Sequence, residues 1–162
     1  TGKTLTFGIP MIQKLLQGTD RALILLPTRE LALQVDETMR KVGNPFNIRS
    51  VIVIGGMDMS TQVKLLQKKA IRVIIATPGR FLDHMEQKTT DPSDIKMVVL
   101  DEADRMLDMG FAPQIERLAK FLPKERQTLL FSATMPAAVV KIAALYMESP
   151  VQVFADTFNV GA

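Results

Sequence analysis

Short runs that are apolar on consecutive positions recur along this chain of 162 residues. A strand with one wet face alternates apolar and polar side chains, whereas a strand covered on both faces is apolar throughout, as in a parallel sheet. We therefore predict six buried strands, at residues 22–26, 50–54, 72–76, 97–100, 128–131 and 151–154.

Segments of helical length separate the predicted strands. Leu31, Val35 and Met39 fall four positions apart and form one apolar stripe, which predicts an amphipathic helix. Thr28 is suited to cap the start of this helix, because its hydroxyl can accept a hydrogen bond from a backbone amide. Repeated strand-helix-strand units with right-handed crossovers predict a single three-layer α/β domain with a mostly parallel central sheet.

The composition excludes several kinds of site. The chain contains no cysteine, so it has neither disulfide bonds nor thiolate metal ligands, and it fits a reducing compartment. We therefore expect a cytoplasmic location. Its apolar runs are far shorter than the ~20 residues that cross a bilayer, and no membrane partner is expected. A net charge of +3 and a pI near 9.3 permit nucleic-acid binding without requiring it.

Polar clusters follow five of the predicted strands, directly where each strand ends. The carboxyl ends of parallel strands meet at one edge of the sheet, where ligands bind in open α/β folds. We therefore expect the clusters to form one site. They are Pro27-Thr28-Arg29, Gly55-Gly56, Thr77-Pro78-Gly79-Arg80, Asp101 to Asp104, and Ser132-Ala133-Thr134.

Residues 98–104 read Val-Val-Leu-Asp-Glu-Ala-Asp, a predicted strand followed by three carboxylates within four positions. Carboxylates crowded at the end of a buried strand repel one another, and a metal ion with phosphates relieves that repulsion. Asp101 is therefore expected to hold Mg²⁺, directly or through water. Glu102 is the candidate to orient or deprotonate an attacking water. A solvated acidic turn is the alternative interpretation.

The chain opens with Thr1-Gly2-Lys3-Thr4, and Gly-Lys-Thr is the closing half of a phosphate-binding loop. In such loops backbone amides and the Lys hold phosphates, and the Thr hydroxyl holds Mg²⁺. Lys3 and Thr4 would begin the first helix, where free amides and the helix dipole favour an anion. With the acids, this segment predicts a nucleoside triphosphate site, and we expect the chain to begin partway through it.

Arg29, Arg80 and the glycine pair at 55–56 indicate a surface that follows a phosphate backbone. Glycines let a nucleic-acid strand approach the main chain, while Arg contacts phosphate without reading bases. One Tyr and no Trp leave little to stack on bases, so binding should be weakly sequence-specific. The alternative is that both arginines only cap helices.

Ser132 and Thr134 resemble candidate nucleophiles, but the single histidine lies on a different segment. A serine triad is therefore not expected. Instead, we expect the two hydroxyls to hydrogen-bond the neighbouring acids. His84 lies in a polar stretch, Asp83-His84-Met85-Glu86, and is predicted to be a surface residue.

These residues resemble the N-terminal RecA-like domain of DEAD-box RNA helicases, over nearly the whole of residues 1–162. The implied fold is a P-loop NTPase domain that lacks its phosphate-loop strand. Six motifs in order carry the resemblance: Gly2-Lys3-Thr4, Pro27-Thr28-Arg29-Glu30-Leu31-Ala32, Gly55-Gly56, Thr77-Pro78-Gly79-Arg80, Asp101-Glu102-Ala103-Asp104 and Ser132-Ala133-Thr134.

The resemblance implies an ATP-dependent enzyme that separates short RNA duplexes. Gly2, Lys3 and Thr4 would bind ATP with Mg²⁺. Asp101 would hold the metal, and Glu102 would position water. By the same resemblance, Lys3 and the two acids would be the catalytic residues.

A second set of residues is implied to link the nucleotide to RNA. Asp104, with Ser132 and Thr134, would couple the state of the nucleotide to closure on RNA. The RNA backbone would be held by Pro27, Thr28, Arg29, Gly55, Gly56, Thr77, Pro78, Gly79 and Arg80.

Parts of the family pattern are not found in this sequence. They are the first strand, the opening half of the phosphate loop, the glutamine motif that recognises adenine, and a second RecA-like domain with its arginine finger. An arginine of that kind can be worth ~10³–10⁵ in rate. We therefore expect negligible ATPase activity and weak RNA affinity from these residues alone. We also expect a gap in the sheet and marginal stability.

Two other functions remain open from the sequence. One is a non-catalytic half-domain that binds RNA or protein and never turns over ATP. The other is a P-loop kinase or transporter-type ATPase. It is disfavoured because Ala103-Asp104, Ser132-Ala133-Thr134 and the Thr-Pro-Gly-Arg cluster have no evident role there.

Overall fold

A sheet of six parallel strands forms the centre of the molecule. The computed structural model describes residues 2–146 and the backbone of residues 151–155. The strands are β1 (Arg21–Leu25), β2 (Arg49–Val53), β3 (Ile71–Ala76), β4 (Ile95–Leu100), β5 (Gln127–Ser132) and β6 (Val151–Ala155), in the spatial order β2-β3-β1-β4-β5-β6. All six predicted strands are present, and their ends differ from the prediction by at most two residues. β2 is only partly buried.

Seven α-helices connect these strands in the described residues. They are α1 (Gly2–Leu15), α2 (Arg29–Gly43), α3 (Met59–Leu66), α4 (Pro78–Glu86), α5 (Ala103–Asp108), α6 (Ala112–Ala119) and α7 (Ala137–Tyr146). Two single-turn 3₁₀ helices lie at Asn44–Phe46 and Pro92–Asp94. None of the described helices has both the length and the apolar character that a bilayer crossing requires.

Both faces of the sheet are covered, which makes the predicted three-layer α/β fold correct. On one face, α1 and α2 pack against side chains such as Ile24, Ile75 and Val99. The intervening residues of the same strands, among them Leu25 and Leu100, pack against the helices α3 to α7. Because successive strand residues point to opposite faces, two apolar layers require strands that are apolar throughout.

The start of α2 confirms the predicted cap. Thr28 has extended backbone angles, and its Oγ1 accepts a hydrogen bond of 3.2 Å from the amide of Leu31. Such a cap satisfies one of the amides that a helix leaves unpaired at its first turn. The predicted apolar stripe is also correct, because Val35 and Met39 are buried and Leu31 is partly buried in the layer beneath.

The expected gap in the sheet is wrong. β4 pairs with β5 in the register Leu100↔Leu130, and β5 pairs with β6 in the register Phe131↔Phe154. Each described strand therefore has a hydrogen-bonded neighbour, and no strand precedes α1 in the described residues. Marginal stability remains a prediction, but a gap in the sheet is no longer a reason for it.

The last described helix begins directly after Pro136. The carbonyl of Pro136 accepts hydrogen bonds from the amides of Val139 and Val140, and α7 runs to Tyr146. The hydroxyl of Tyr146 is buried and donates to the carbonyl of Ile115 at 2.9 Å, which ties α7 to α6.

Gly43, the last residue of α2, has no room for a side chain. A Cβ there would lie 2.5 Å from the carbonyl oxygen of Ile48, a backbone atom that cannot rotate away. We expect Gly43→Ala to lower the free energy of unfolding by about 1–3 kcal/mol, the usual cost of overpacking. Chemical denaturation measures it, and Gly18→Ala is the control, because a Cβ at Gly18 would meet nothing within 4 Å. Equal stability of the two variants would contradict this packing.

Candidate functional site

The predicted clusters all lie at the carboxyl ends of the strands. Residues 27–29 follow β1, 55–56 follow β2, and 77–80 follow β3. Asp101 directly follows β4, and Ser132 is the last residue of β5. Since all the strands are parallel, these segments share one edge of the sheet.

The strongest contact at this edge joins the first turn of α1 to the end of β4. Lys3 Nζ lies 2.9 Å from Asp101 Oδ1 and 4.0 Å from Glu102 Oε2. The side chain of Asp101 is only 2% exposed, whereas that of Lys3 is 38% exposed. Folding therefore brings the Gly-Lys-Thr segment together with the acids that are about a hundred positions later in the sequence.

Burial raises the pKa of Asp101, and the hydrogen bond and charge of Lys3 oppose that rise. The neighbouring Glu102 carboxylate adds to it, although the Glu102 amide donates to Asp101 Oδ1 at 2.9 Å. A carboxylate withdrawn from water is stable in its charged form only beside a cation. Asp101 therefore needs a neighbouring cation, here Lys3, to stay in its charged form.

Glu102 has an unusual backbone. Its φ of 52° and ψ of 51° are in the left-handed region, just before α5 begins. This region is uncommon for residues other than glycine, and such strain is often found at functional sites. The side chain is turned toward Arg105, whose Nη1 lies 3.4 Å from Glu102 Oε1.

A cleft of about 340 Å³ opens beside these residues. Lys3 and Thr4 line one part of it and the two acids another, and α2 contributes Gln34, Glu37, Thr38 and Lys41. Sequence reasoning missed these residues of α2. They lie on the polar face of an amphipathic helix, and their spacing matches that of an ordinary solvated face. Only the packing of α2 on the sheet turns this face toward the cleft.

The oxygen atoms in the cleft suit a magnesium ion that is shared with phosphates. Within residues 2–146 no three His, Cys, Asp or Glu side chains come together as a metal site. Magnesium, however, is commonly bound by one or two protein oxygens together with substrate phosphates and water. Asp101 and the buried Thr4 line the same cleft and fit that pattern.

Asp104 faces away from Lys3, toward the segment after β5. Its Oδ2 accepts from the hydroxyl of Thr134 at 2.8 Å and from the Thr134 amide at 3.1 Å. Partial burial raises the pKa of Asp104, but the hydrogen bonds from Thr134 and Arg105 outweigh burial and lower it. The predicted bond from Thr134 to an acid is therefore present.

Ser132 also contacts the acid, since its side chain helps to lower the pKa of Asp104, and it bonds the main chain as well. Its Oγ accepts from the backbone amide of Asp104 at 3.1 Å and donates to the carbonyl of Thr134 at 2.6 Å. The hydroxyl thus bonds main-chain atoms, because it lies beside the first turn of α5, where amides are still unpaired. Ser132 and Thr134 together tie the segment after β5 to the start of α5.

Arg29 lies over the turn at Gly55–Gly56. Gly56 has a φ of +82°, and a Cβ there would lie 2.8 Å from Nη1 of Arg29. Glycine is favoured at such a position because both the backbone angle and the close approach disfavour a side chain. Arg29 is exposed, and within the described residues its guanidinium has no hydrogen bond or ion pair.

Arg80, in contrast, is held by the protein. Its Nη1 donates to the carbonyl of Met57 at 2.7 Å and to Gln62 Oε1 at 3.0 Å. Nε lies 3.8 Å from Asp83 Oδ2. Arg80 therefore braces the turn after β2 from its neighbour α4, and it is not a free cation like Arg29.

The remaining residues of this surface form the start of α4. Thr77 precedes the helix with an extended backbone and makes no side-chain cap bond. Pro78 occupies the first helical position and is buried, which suits a residue without an amide hydrogen. A Cβ at Gly79 would meet nothing within 4 Å, so the backbone there is open to a ligand.

The prediction of a surface position for His84 is wrong. The side chain is 0% exposed, since α4 turns it inward with Phe81 and Met85. His84 Nε2 lies 2.8 Å from Gln62 Oε1, and Nδ1 lies 2.7 Å from Thr89 Oγ1. Because the neighbours of His84 in the sequence are polar, the sequence does not show that this position of α4 faces the core.

Comparison with known proteins identifies the class to which this fold and site belong. Residues 1–142 match the DEAD/DEAH box helicase family, and the chain belongs to that family. It is 47% identical to the ATP-dependent RNA helicase CshA of Listeria monocytogenes over 152 residues, which are 93% of this chain and 29% of that protein. The ATP-dependent rRNA helicase rrp3 of Schizosaccharomyces pombe is 45% identical over 156 residues, 94% of this chain and 33% of that protein.

Solved structures show the same fold. A DEAD box protein from Methanococcus jannaschii superposes with a TM-score of 0.83 at 36% identity, covering 98% of this chain and 44% of that one. A hypothetical ATP-dependent RNA helicase from Sulfolobus tokodaii also gives a TM-score of 0.83, at 32% identity, with 95% and 45% covered. The described domain is therefore a RecA-like α/β domain of the DEAD-box type.

The buried His84 predicts a pH dependence of stability. Burial lowers its pKa below 6.5, the nearby Arg80 lowers it further, and Asp83 opposes both. The unfolded chain therefore binds the proton more tightly than the folded chain. Stability should be complete above pH 6.5 and should fall as the pH drops from 6.5 to the pKa of the folded state. Thermal melting between pH 5 and 8 measures it, and His84→Gln should remove this component while leaving the acid-side loss from carboxylates.

Proposed function

We propose that this chain is the ATP-binding and RNA-binding RecA-like domain of an ATP-dependent RNA helicase that unwinds short duplexes. The chain spans about a third of the length of the curated relatives it matches, 29% and 33% for two of them. The activity we propose is therefore that of the whole protein. A second RecA-like domain is the proposed partner that completes both binding surfaces.

One observation carries the nucleotide part of this proposal, namely the 2.9 Å contact between Lys3 Nζ and Asp101 Oδ1. A lysine at a helix start and a buried acid at a strand end are then neighbours in one cleft. The lysine ammonium and the free amides of the first turn of α1, including that of Gly2, favour phosphate. When ATP is bound, we propose that its phosphates take over Lys3 from Asp101.

Thr4 and Asp101 are the proposed Mg²⁺ ligands. The metal would neutralise charge on the phosphates. If a divalent cation took the place of Lys3 beside Asp101, the buried carboxylate would have a cationic partner both before and after ATP binds. Glu102 lies next to it at the edge of the cleft, and we propose that its carboxylate holds the attacking water and accepts its proton.

Asp104, Ser132 and Thr134 are the proposed coupling residues. Their hydrogen bonds connect the start of α5 with the segment that follows β5. Glu102 is within one turn of this connection, so a movement of the acidic segment on nucleotide binding would be passed to residues 132–134. This hydrogen-bonded link supports a coupling role over a nucleophilic one.

The proposed RNA surface consists of the segments after β1, β2 and β3. Within the described residues the guanidinium of Arg29 has no partner, and it covers Gly56. The backbones of Gly55 and Gly79 are open to a close approach. Arg80 contributes by holding the turn in place as well as by its charge. These groups recognise phosphate and sugar, so we expect weak sequence preference.

The alternative of a non-catalytic half-domain predicts RNA or protein binding without ATP binding. The lysine–acid contact in the cleft favours the enzyme, since RNA binding alone does not require it. Negligible turnover by these 162 residues stays a prediction, and so does a cytoplasmic location. A phosphate-release assay with and without RNA tests the first, and RNA-stimulated turnover would contradict it.

Removal of the Lys3 ammonium should weaken nucleotide binding. Lys3→Ala deletes one charge-assisted hydrogen bond to phosphate, and we expect affinity for a fluorescent ATP analogue with Mg²⁺ to fall about tenfold or more. Fluorescence titration of the chain measures this affinity, and thermal melting checks that the variant is folded.

The matched control is Lys14→Ala, an exposed lysine in the last turn of the same helix. It removes the same charge at the opposite end of α1 and should leave affinity unchanged. The nucleotide assignment is refuted if both variants bind the analogue as tightly as the unchanged chain.

The free guanidinium of Arg29 predicts a defined salt dependence of RNA binding. For a single strand, each phosphate contact contributes ~0.7 to the slope of the logarithm of affinity against the logarithm of salt concentration. Arg29→Ala should therefore lower that slope by about 0.7 and weaken binding of fluorescein-labelled oligouridine. Fluorescence anisotropy at several salt concentrations measures both quantities.

Lys69→Ala is the control for total charge. Lys69 is exposed and precedes β3, at the opposite edge of the sheet from Arg29. The two variants carry the same net charge, so only a local contact can separate them. Identical slopes for the two variants would argue against RNA at the carboxyl edge.

A further inference from the structure

A buried polar network lies directly beneath the proposed RNA surface. Gln62 of α3 is 1% exposed and His84 of α4 is 0% exposed, and each uses its side-chain polar atoms in hydrogen bonds. The network begins at the carbonyl of Ile54, which directly precedes the glycine pair, and ends at Thr89 after α4. It thus connects two of the three segments proposed to hold RNA.

Arg80 determines the direction of the hydrogen bonds around Gln62. A guanidinium can only donate, so Gln62 Oε1, which is 3.0 Å from Arg80 Nη1, is an acceptor. Gln62 Nε2 then donates to the carbonyl of Ile54 at 3.0 Å. His84 Nε2, 2.8 Å from the same Oε1, must also donate.

The neutral form of His84 is therefore protonated on Nε2. Its Nδ1 accepts from the hydroxyl of Thr89 at 2.7 Å. The charged side chains near the ring are Arg80 and Asp83, both on the same helix. Gln62 Oε1 accepts two hydrogen bonds at once, one from the histidine and one from the arginine.

We infer that Gln62 and His84 are positioning residues that hold Arg80 and the turn at 55–57 as one rigid unit. Arg80 Nη1 donates to the carbonyl of Met57 at 2.7 Å, so whatever fixes Arg80 also fixes this turn. The Ile54 carbonyl anchors the other side of the turn through Gln62. The consequence for RNA binding rests on the proposed function, whereas the rigidity of the turn does not.

The energetic reason is the high cost of an unpaired polar group in the interior. A buried group that loses its partner costs ~1–3 kcal/mol, so a partly broken network rearranges. Without the histidine donor, Gln62 Oε1 keeps only Arg80, and the amide is no longer held from two sides. A loose turn would have to become ordered when RNA binds, and the free energy needed for that ordering would weaken binding.

The first experiment measures the turn without RNA. His84→Leu removes the donor to Gln62, and His84→Gln restores an N–H at the end of a side chain of similar length. The amides of Gly55, Gly56 and Met57 donate no hydrogen bond within the described residues, so their motion is measured by nitrogen-15 relaxation. Their order parameters should fall from about 0.85 toward about 0.6 in His84→Leu and return toward the original values in His84→Gln. Gln87→Ala, an exposed position just after α4, should leave the order parameters unchanged.

Two further readouts distinguish positioning from general stability. Nitrogen-15 NMR of the unchanged chain should show the Nε2-protonated form of His84 at neutral pH. Thr89→Val removes the partner on the other side of the ring and serves if His84→Leu fails to fold. In both variants the order parameters of the turn should fall relative to those of β1, which lies outside the network.

The second experiment measures RNA. Affinity for labelled oligouridine should fall about tenfold in His84→Leu and recover in His84→Gln. Unchanged order parameters at 55–57 in His84→Leu and Thr89→Val overturn the inference, whatever RNA does. If the turn loosens while the unchanged chain binds no RNA, the positioning role stands and the proposed RNA function fails. If the turn loosens but RNA affinity does not fall, the rigidity of this turn does not contribute to RNA binding.

Discussion

The buried carboxylate of Asp101 is the constraint on which the site depends. A charge withdrawn from water at the end of a central strand is unfavourable unless a cation lies opposite, and Lys3 occupies that position at 2.9 Å. This ion pair holds the first turn of α1 beside the end of β4. A site organised in this way suits the exchange of one cation for another, which is what we propose for the binding of a metal with phosphates.

Two sets of hydrogen bonds lie along the edge of the sheet, on either side of Asp101. On one side, Asp104 binds Thr134 and so ties the acidic segment to the end of β5. On the other side, Arg80 binds the turn after β2 and is itself held by Gln62. Each set of hydrogen bonds joins segments that follow different strands. A parallel sheet makes this possible, because it presents all its carboxyl-end loops on one rim.

The parts that could be predicted from the sequence depend on local chemistry. The strands follow from consecutive apolar residues, the start of α2 from the hydroxyl of Thr28, and the location of the polar clusters from the direction of the chain. The errors involve contacts between distant segments. His84 has polar neighbours in sequence and yet faces the core. The expected gap in the sheet is absent because β6 pairs directly with β5.

The sequence by itself determined the α/β class, the layered core and the polar groups that follow the strands, since these follow from periodicity and residue type. Only the tertiary structure decided that Lys3 meets Asp101 and that the polar face of α2 lines the cleft. It also decided that Arg80 is braced while Arg29 has no partner within the described residues. The physical reason is that burial and pairing depend on atoms brought together across the whole chain. The spacing of residues along one segment contains no information about the partner that another segment supplies.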